Sequence, residues 1–189
     1  MDTIMNWTYA DISDCPRDRR DWLAALLHKL GVDLKPHAAK LIRGCAPQCL
    51  SPLIETLHKA GVDIATYADD LVAKCPPIYY DALVSALNAV GVSIVPYVEF
   101  FVKNCGLSPY RYALARELHR ANIPIEPHLP SLIHMGGVVH SVLMVYELRR
   151  AGIPIQPYIQ ALIDSCGCES IHKLRDMLRV CGWNIDYAV

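Results

Sequence analysis

Eight cysteines and eight histidines are the residues of this chain best suited to chemistry. Cys166, Cys168, His172 and Cys181 follow the pattern C-x-C-x3-H-x8-C, which has the ligand types of a zinc site. The spacing matches no common zinc finger, and Cys166 also belongs to a regular cysteine ladder, so a packing role competes with the metal reading. No H-E-x-x-H, G-x-S-x-G, phosphate-loop or dinucleotide-binding motif occurs. No nucleophile, base and orienting group stand out as a set, so a thiol- or metal-dependent enzyme ranks third among the readings. No cofactor is implied.

A second constellation is basic. The pairs His28-Lys29, His58-Lys59, His119-Arg120 and Arg149-Arg150, with Arg179 after them, recur near the ends of apolar segments. Asn88-Ala89 interrupts the series. Cations near helix C-termini complement the helix dipole, which accounts for the pattern locally. Stacked along one edge, the same residues would follow a phosphate backbone or an acidic peptide.

The spacing of these pairs reveals what must position them. Gly31-Val32-Asp33-Leu34 returns as Gly61-Val62-Asp63-Ile64, Gly91-Val92-Ser93-Ile94, Asn122-Ile123-Pro124-Ile125, Gly152-Ile153-Pro154-Ile155 and Gly182-Trp183-Asn184-Ile185. The intervals of 30, 30, 31, 30 and 30 residues divide the chain into units 1–30, 31–60, 61–90, 91–121, 122–151 and 152–181, with a cap segment at 182–189. Cysteine recurs in register at Cys15, Cys45, Cys75, Cys105 and Cys166, and Gly136 takes the slot in the fifth unit. Leucine recurs at Leu27, Leu57, Leu87, Leu118, Leu148 and Leu178.

Each unit reads as two short helices. Pro36, Pro96, Pro127 and Pro157 suit the first turn of the first helix, with Asp33, Asp63 and Ser93 placed to cap it. The first helix ends near the cysteine, and the second stops at the repeat glycine, a residue that tolerates a left-handed conformation. Such helices are marginal alone and must bury their apolar faces against neighbouring pairs. The expected fold is therefore all-α: an α-solenoid of six ~30-residue helical hairpins forming one domain over residues 1–189.

Buried columns turn polar at both ends. Asp11 and the run Arg17-Asp18-Arg19-Arg20-Asp21 stand at one end and Arg175 at the other, which predicts solvent-facing capping units and a complete array. Trp183 and Ile185 are expected to lie over the last helix.

Neighbouring hairpins stack at roughly 8–10 Å, too far for equivalent cysteines to bond, since a disulfide needs Cα atoms within about 7 Å. The cysteines are expected as buried thiols. His37 and His128 alternate with tyrosine in one column and read as planar packing groups. No membrane span or export signal is present, so the expected setting is a reducing cytoplasm. Lys and Arg total 18 against 19 Asp and Glu, which excludes nucleic-acid binding by bulk charge alone.

Ala60-Gly61-Val62-Asp63-Ile64 followed by Leu71-Val72-Ala73-Lys74-Cys75-Pro76 resembles mitochondrial termination-factor repeats, whose helical units bind nucleic acid. The family's proline after the first helix stands at Pro16 and Pro76 but is replaced by Ala46, Gly106, Gly137 and Gly167. The resemblance is best in that single unit, and no functional residue is carried over from it.

Two surface columns complete the candidates. One reads Ser13, Arg43, Ala73, Lys103, His134 and Asp164; the other reads Ala10, Lys40, Asp70, Phe100, Ser131 and Ala161. Varied columns beside fixed core columns are how a repeat scaffold presents a partner-specific face. The expected function is non-catalytic recognition of a protein or peptide, with Arg43, Lys103, His134 and the basic pairs as contact residues. The alternative is modular RNA or DNA binding through the basic edge.

Overall fold

The computed structural model describes residues 12, 14–106, 108–133, 137–166, 171–180 and 182. Among these residues every regular element is helical and no strand occurs. The chain divides into two compact units, Met1–Ile94 and Val95–Val189. The first holds α1 (Arg20–Lys29), α2 (Ala38–Gly44), α3 (Leu50–Lys59), α4 (Ala68–Lys74) and α5 (Tyr80–Ala89). The second holds α6 (Val98–Asn104), α7 (Ser108–Arg120), α8 (Leu129–Ile133), α9 (Gly137–Arg150), α10 (Ile159–Cys166) and α11 (Ile171–Val180).

The longer, second helix of each hairpin packs on the second helix of the next: α1 on α3 and α3 on α5 in one unit, α7 on α9 and α9 on α11 in the other. The leucine column supplies this contact, and all six members from Leu27 to Leu178 are fully buried. The first helices bury Leu41, Leu71, Phe101, Leu132 and Leu162. Removing each such side chain from water contributes about 1.5–3 kcal/mol, which holds helices too short to persist alone.

The first helices contain an α-helical stretch as short as five residues, because each opens with a tight 3₁₀ turn. Pro36, Pro127 and Pro157 lie in the first positions of these turns, where a missing N–H costs nothing. Asp33 and Asp63 accept from the amides of Lys35 and Ala65 at 3.0 and 3.1 Å, so the aspartate column caps as expected. At the far end Cys45, Cys75 and Cys105 turn the chain extended, and the second helix begins within a few residues.

Every described second helix ends at a residue with positive φ: Gly31, Gly61, Gly91, Gly152 and Gly182 at +69° to +83°, and Asn122 at +57°. The Gly31 amide donates to the His28 carbonyl and the Val32 amide to the Leu27 carbonyl, each at 3.0 Å. This paired closure, a Schellman cap, recurs after α3, α5, α7 and α9. Asn122 fills the glycine column because asparagine is the side chain that best tolerates this conformation.

The charged run near the N-terminus needs correction. Arg20 is only 8% exposed, and its guanidinium donates from Nη1 to the Lys40 carbonyl at 2.8 Å. It lies across Gly44, where an added Cβ would fall 1.6 Å from the same nitrogen. Arg111 repeats the arrangement in the second unit, donating to the Ser131 carbonyl at 2.9 Å. An arginine near the start of a second helix thus bonds a backbone carbonyl of the next first helix, at the third residue of α2 and of α8. Asp11, Trp183 and Ile185 lie outside the described residues, and Arg175 is partly exposed.

Gly44→Ala should lower stability by about 1–3 kcal/mol through overpacking against Arg20. In an Arg20→Ala background the same change should cost much less; a thermal-denaturation double-mutant cycle checks the coupling. Gly61→Val should cost roughly 1–2 kcal/mol by forcing a branched residue to positive φ, whereas Asn122→Gly should leave the thermal midpoint unchanged or raised.

Candidate functional site

The basic pairs sit where the spacing placed them. His28-Lys29, His58-Lys59, His119-Arg120 and Arg149-Arg150 are the last two residues of α1, α3, α7 and α9, and Arg179 is the penultimate residue of α11. The carbonyls of His28, His58, His119, Arg149 and Arg179 all accept the amide of the capping residue, so this column is first a cap position. Part of the charge is already engaged. Arg120 donates to Glu117 at 2.7 Å, and Lys59 lies 3.9 Å from Glu55 on its own helix. In the first unit α1 lies against α3, so His28-Lys29 and His58-Lys59 end neighbouring helices.

The two varied surface columns meet across neighbouring first helices. In the first unit Arg43 on α2 and Asp70 on α4 approach to 3.8 Å over a cleft of about 230 Å³. Ile42, Leu50 and Leu71 line its apolar floor, while Arg17, Arg43, Asp70 and Lys74 form its rim. Asp70 is held by Lys74, which donates to it at 3.3 Å. The 3.8 Å contact to Arg43 exceeds hydrogen-bonding distance, so the Arg43 guanidinium engages Asp70 only through charge.

The second unit repeats the cleft between α6 and α8, at about 380 Å³. Val102 replaces Ile42, Lys103 replaces Arg43 and Ser131 replaces Asp70, with Glu99 and His128 also on the lining. With serine in the acidic position, no described carboxylate pairs with Lys103. His134 lies outside the described residues. The helical register therefore turns two columns, distant in sequence, into opposite walls of one recurring groove.

The cysteine ladder is packed inward. Cys45, Cys75, Cys105 and Cys166 are buried, and none of the six described cysteines is in a disulfide. Burial pushes Cys45 and Cys75 from 9.0 up to about 12, the wrong direction for a nucleophile or metal ligand. Of the proposed zinc set, Cys166 is buried, His172 is exposed, and Cys168 and Cys181 lie outside the described residues. Among the described residues no group of three or more His, Cys, Asp or Glu is arranged to hold a metal ion. His37 and His128 are half-buried, as packing groups would be.

One feature of the second unit escaped the sequence reading. Glu117 and Glu147 are 7% and 2% exposed, in a column that elsewhere reads Leu26, Thr56 and Ala86. Arg116 and Arg120 donate to Glu117 at 2.9 and 2.7 Å, and the Tyr112 hydroxyl donates to Glu147 at 3.4 Å. Arg116 also lies 5.7 Å from the centre of the Tyr112 ring. Glutamates replacing apolar and small residues in a helix-packing column were the available signal. The arginine contacts lie within α7, and the Tyr112–Glu147 bond adds one polar link from α7 to α9 beside the leucine contact. Comparison of the chain with protein-family models, curated proteins and solved structures finds no match.

In the native protein at pH 8, N-ethylmaleimide should modify half-buried Cys15 and Cys49 at least about tenfold faster than Cys45 and Cys75; peptide mapping by mass spectrometry reads the order. Because the folded pKa values of Cys45 and Cys75 exceed the unfolded value, their linked stability is full below pH 9.0 and declines as pH rises toward about 12. Denaturant titrations should show that alkaline loss, reduced in a Cys45→Ala, Cys75→Ala variant.

Proposed function

We propose that residues 1–189 form a non-catalytic recognition scaffold of the α-solenoid kind, whose grooves between successive first helices hold an extended segment of a protein partner. The observation that carries this reading is a cleft in each unit lined by the same three columns, Ile42, Arg43 and Asp70 in one and Val102, Lys103 and Ser131 in the other. Val102 for Ile42 keeps the floor apolar, while Ser131 for Asp70 changes the polar wall. A scaffold that reads successive positions of a peptide needs that combination: a constant spacing and a variable contact.

The inward-packed thiols supply no activated nucleophile, and the exposed cations lie on helices whose caps are already complete. The basic edge at His28-Lys29 and His58-Lys59 supports nucleic-acid binding through charge, with exposed Trp22 two turns before Lys29 on the same helix. Groove recognition uses apolar and charged contacts together in one cleft.

Selection of a random-peptide display library on the full chain tests the reading. Enriched peptides should lose about tenfold in affinity on Arg43→Glu or Lys103→Glu, and change less than about twofold on combined Lys29→Glu and Lys59→Glu. Failure to enrich any peptide would refute groove recognition. Steeply salt-dependent RNA binding removed by the Lys29 and Lys59 changes would replace it with the nucleic-acid reading.

A further inference from the structure

The cleft of the first unit is more specific in its chemistry than a general peptide groove. Its rim carries three cations, Arg17, Arg43 and Lys74, against the single carboxylate of Asp70. Asp70 is engaged by Lys74 through a hydrogen bond and by Arg43 only through charge. Among the described residues no carboxylate lies within ion-pairing distance of Arg17. Two arginines thus line one cleft, and neither guanidinium makes a side-chain hydrogen bond among the described residues. Planar guanidinium groups match a carboxylate in paired, parallel hydrogen bonds, which a lysine ammonium cannot do.

Beneath these charges the floor is aliphatic, from Ile42, Leu50 and Leu71. An anion that is only a charge has no use for such a floor. The cleft lining also contains no aromatic ring on which a base could stack. The combination fits an amino-acid side chain bearing a carboxylate next to an aliphatic one.

We propose that this cleft binds an acidic peptide segment, with an Asp or Glu carboxylate received by Arg17 and Arg43 and a neighbouring aliphatic side chain set against Ile42, Leu50 and Leu71. The proposal rests on groove recognition and adds the class of ligand. Asp70 then has a defined part: in the empty cleft it occupies Lys74 and faces Arg43, and it opposes an incoming carboxylate by like charge. Removing its charge should therefore strengthen binding, whereas removing a charged wall residue from a merely structural groove would not.

Fluorescence anisotropy with a labelled, alternating Asp-Leu octapeptide and the full chain tests this. Arg17→Gln and Arg43→Gln should each weaken binding about tenfold, Asp70→Asn should tighten it about threefold or more, and an Asn-Leu octapeptide should bind at least about tenfold more weakly. Circular dichroism of each variant verifies that these exposed substitutions leave the helices intact. Equal affinity for the Asp-Leu and Asn-Leu peptides, or no gain from Asp70→Asn, overturns the acidic assignment while leaving peptide recognition standing. Displacement of the peptide by an oligouridylate that binds more tightly overturns it in favour of RNA. If neither octapeptide binds and the display library also enriches nothing, both readings fall together.

Discussion

A helix of seven residues closes only a few hydrogen bonds of its own and loses more in chain entropy than it gains. Each helix of this protein therefore exists by burying one face against a neighbour, and the leucine column from Leu27 to Leu178 is where that burial concentrates. Two devices keep the faces in register. The Schellman caps end α1, α3, α5, α7 and α9 at the same point of each repeat. Arg20 and Arg111 then reach across to the carbonyls of Lys40 and Ser131, tying the start of a second helix to the following hairpin.

The groove is a by-product of that regularity. Short first helices, opened by 3₁₀ turns and closed at extended Cys45, Cys75 and Cys105 in three of them, leave the troughs seen between α2 and α4 and between α6 and α8. The trough walls face outward and carry no packing duty, so their residues vary while the floor stays aliphatic. Arg43, Asp70 and Lys74 on one set of walls and Lys103 and Ser131 on the other thus give the two clefts different charge. The thiol ladder beside them has the opposite character. Buried and held protonated, it contributes packing and a small residue where the chain must turn.

The second unit departs from the pattern by burying Glu117 and Glu147 where the first unit has Leu26, Thr56 and Ala86. Buried carboxylates are costly unless bonded: Arg116 and Arg120 donate to Glu117, whereas Glu147 accepts from Tyr112 at one oxygen and leaves the other, Oε2, buried without a hydrogen bond among the described residues. The arginine pairs lie within α7, so the bond that reaches from α7 to α9 is the one from the Tyr112 hydroxyl to Glu147. The two units thus use the same leucine column with different degrees of polar reinforcement.

The repeat period, the helical hairpins, the proline turns, the aspartate caps and the left-handed cap column were all legible from residue types and spacing. These features arise from interactions a few residues apart, so local sequence contains their causes. What spacing could not show is which residues of different hairpins face one another. Arg20 read as part of a solvated charged run but is buried across Gly44; the columns of Arg43 and Asp70 read as one varied outward surface, and packing sets Arg43 and Asp70 face to face across a cleft; Glu117 and Glu147 lay in a packing column unnoticed. The side chain period along a helix determines the face a residue occupies, but only the packing of one helix against another determines what that face meets.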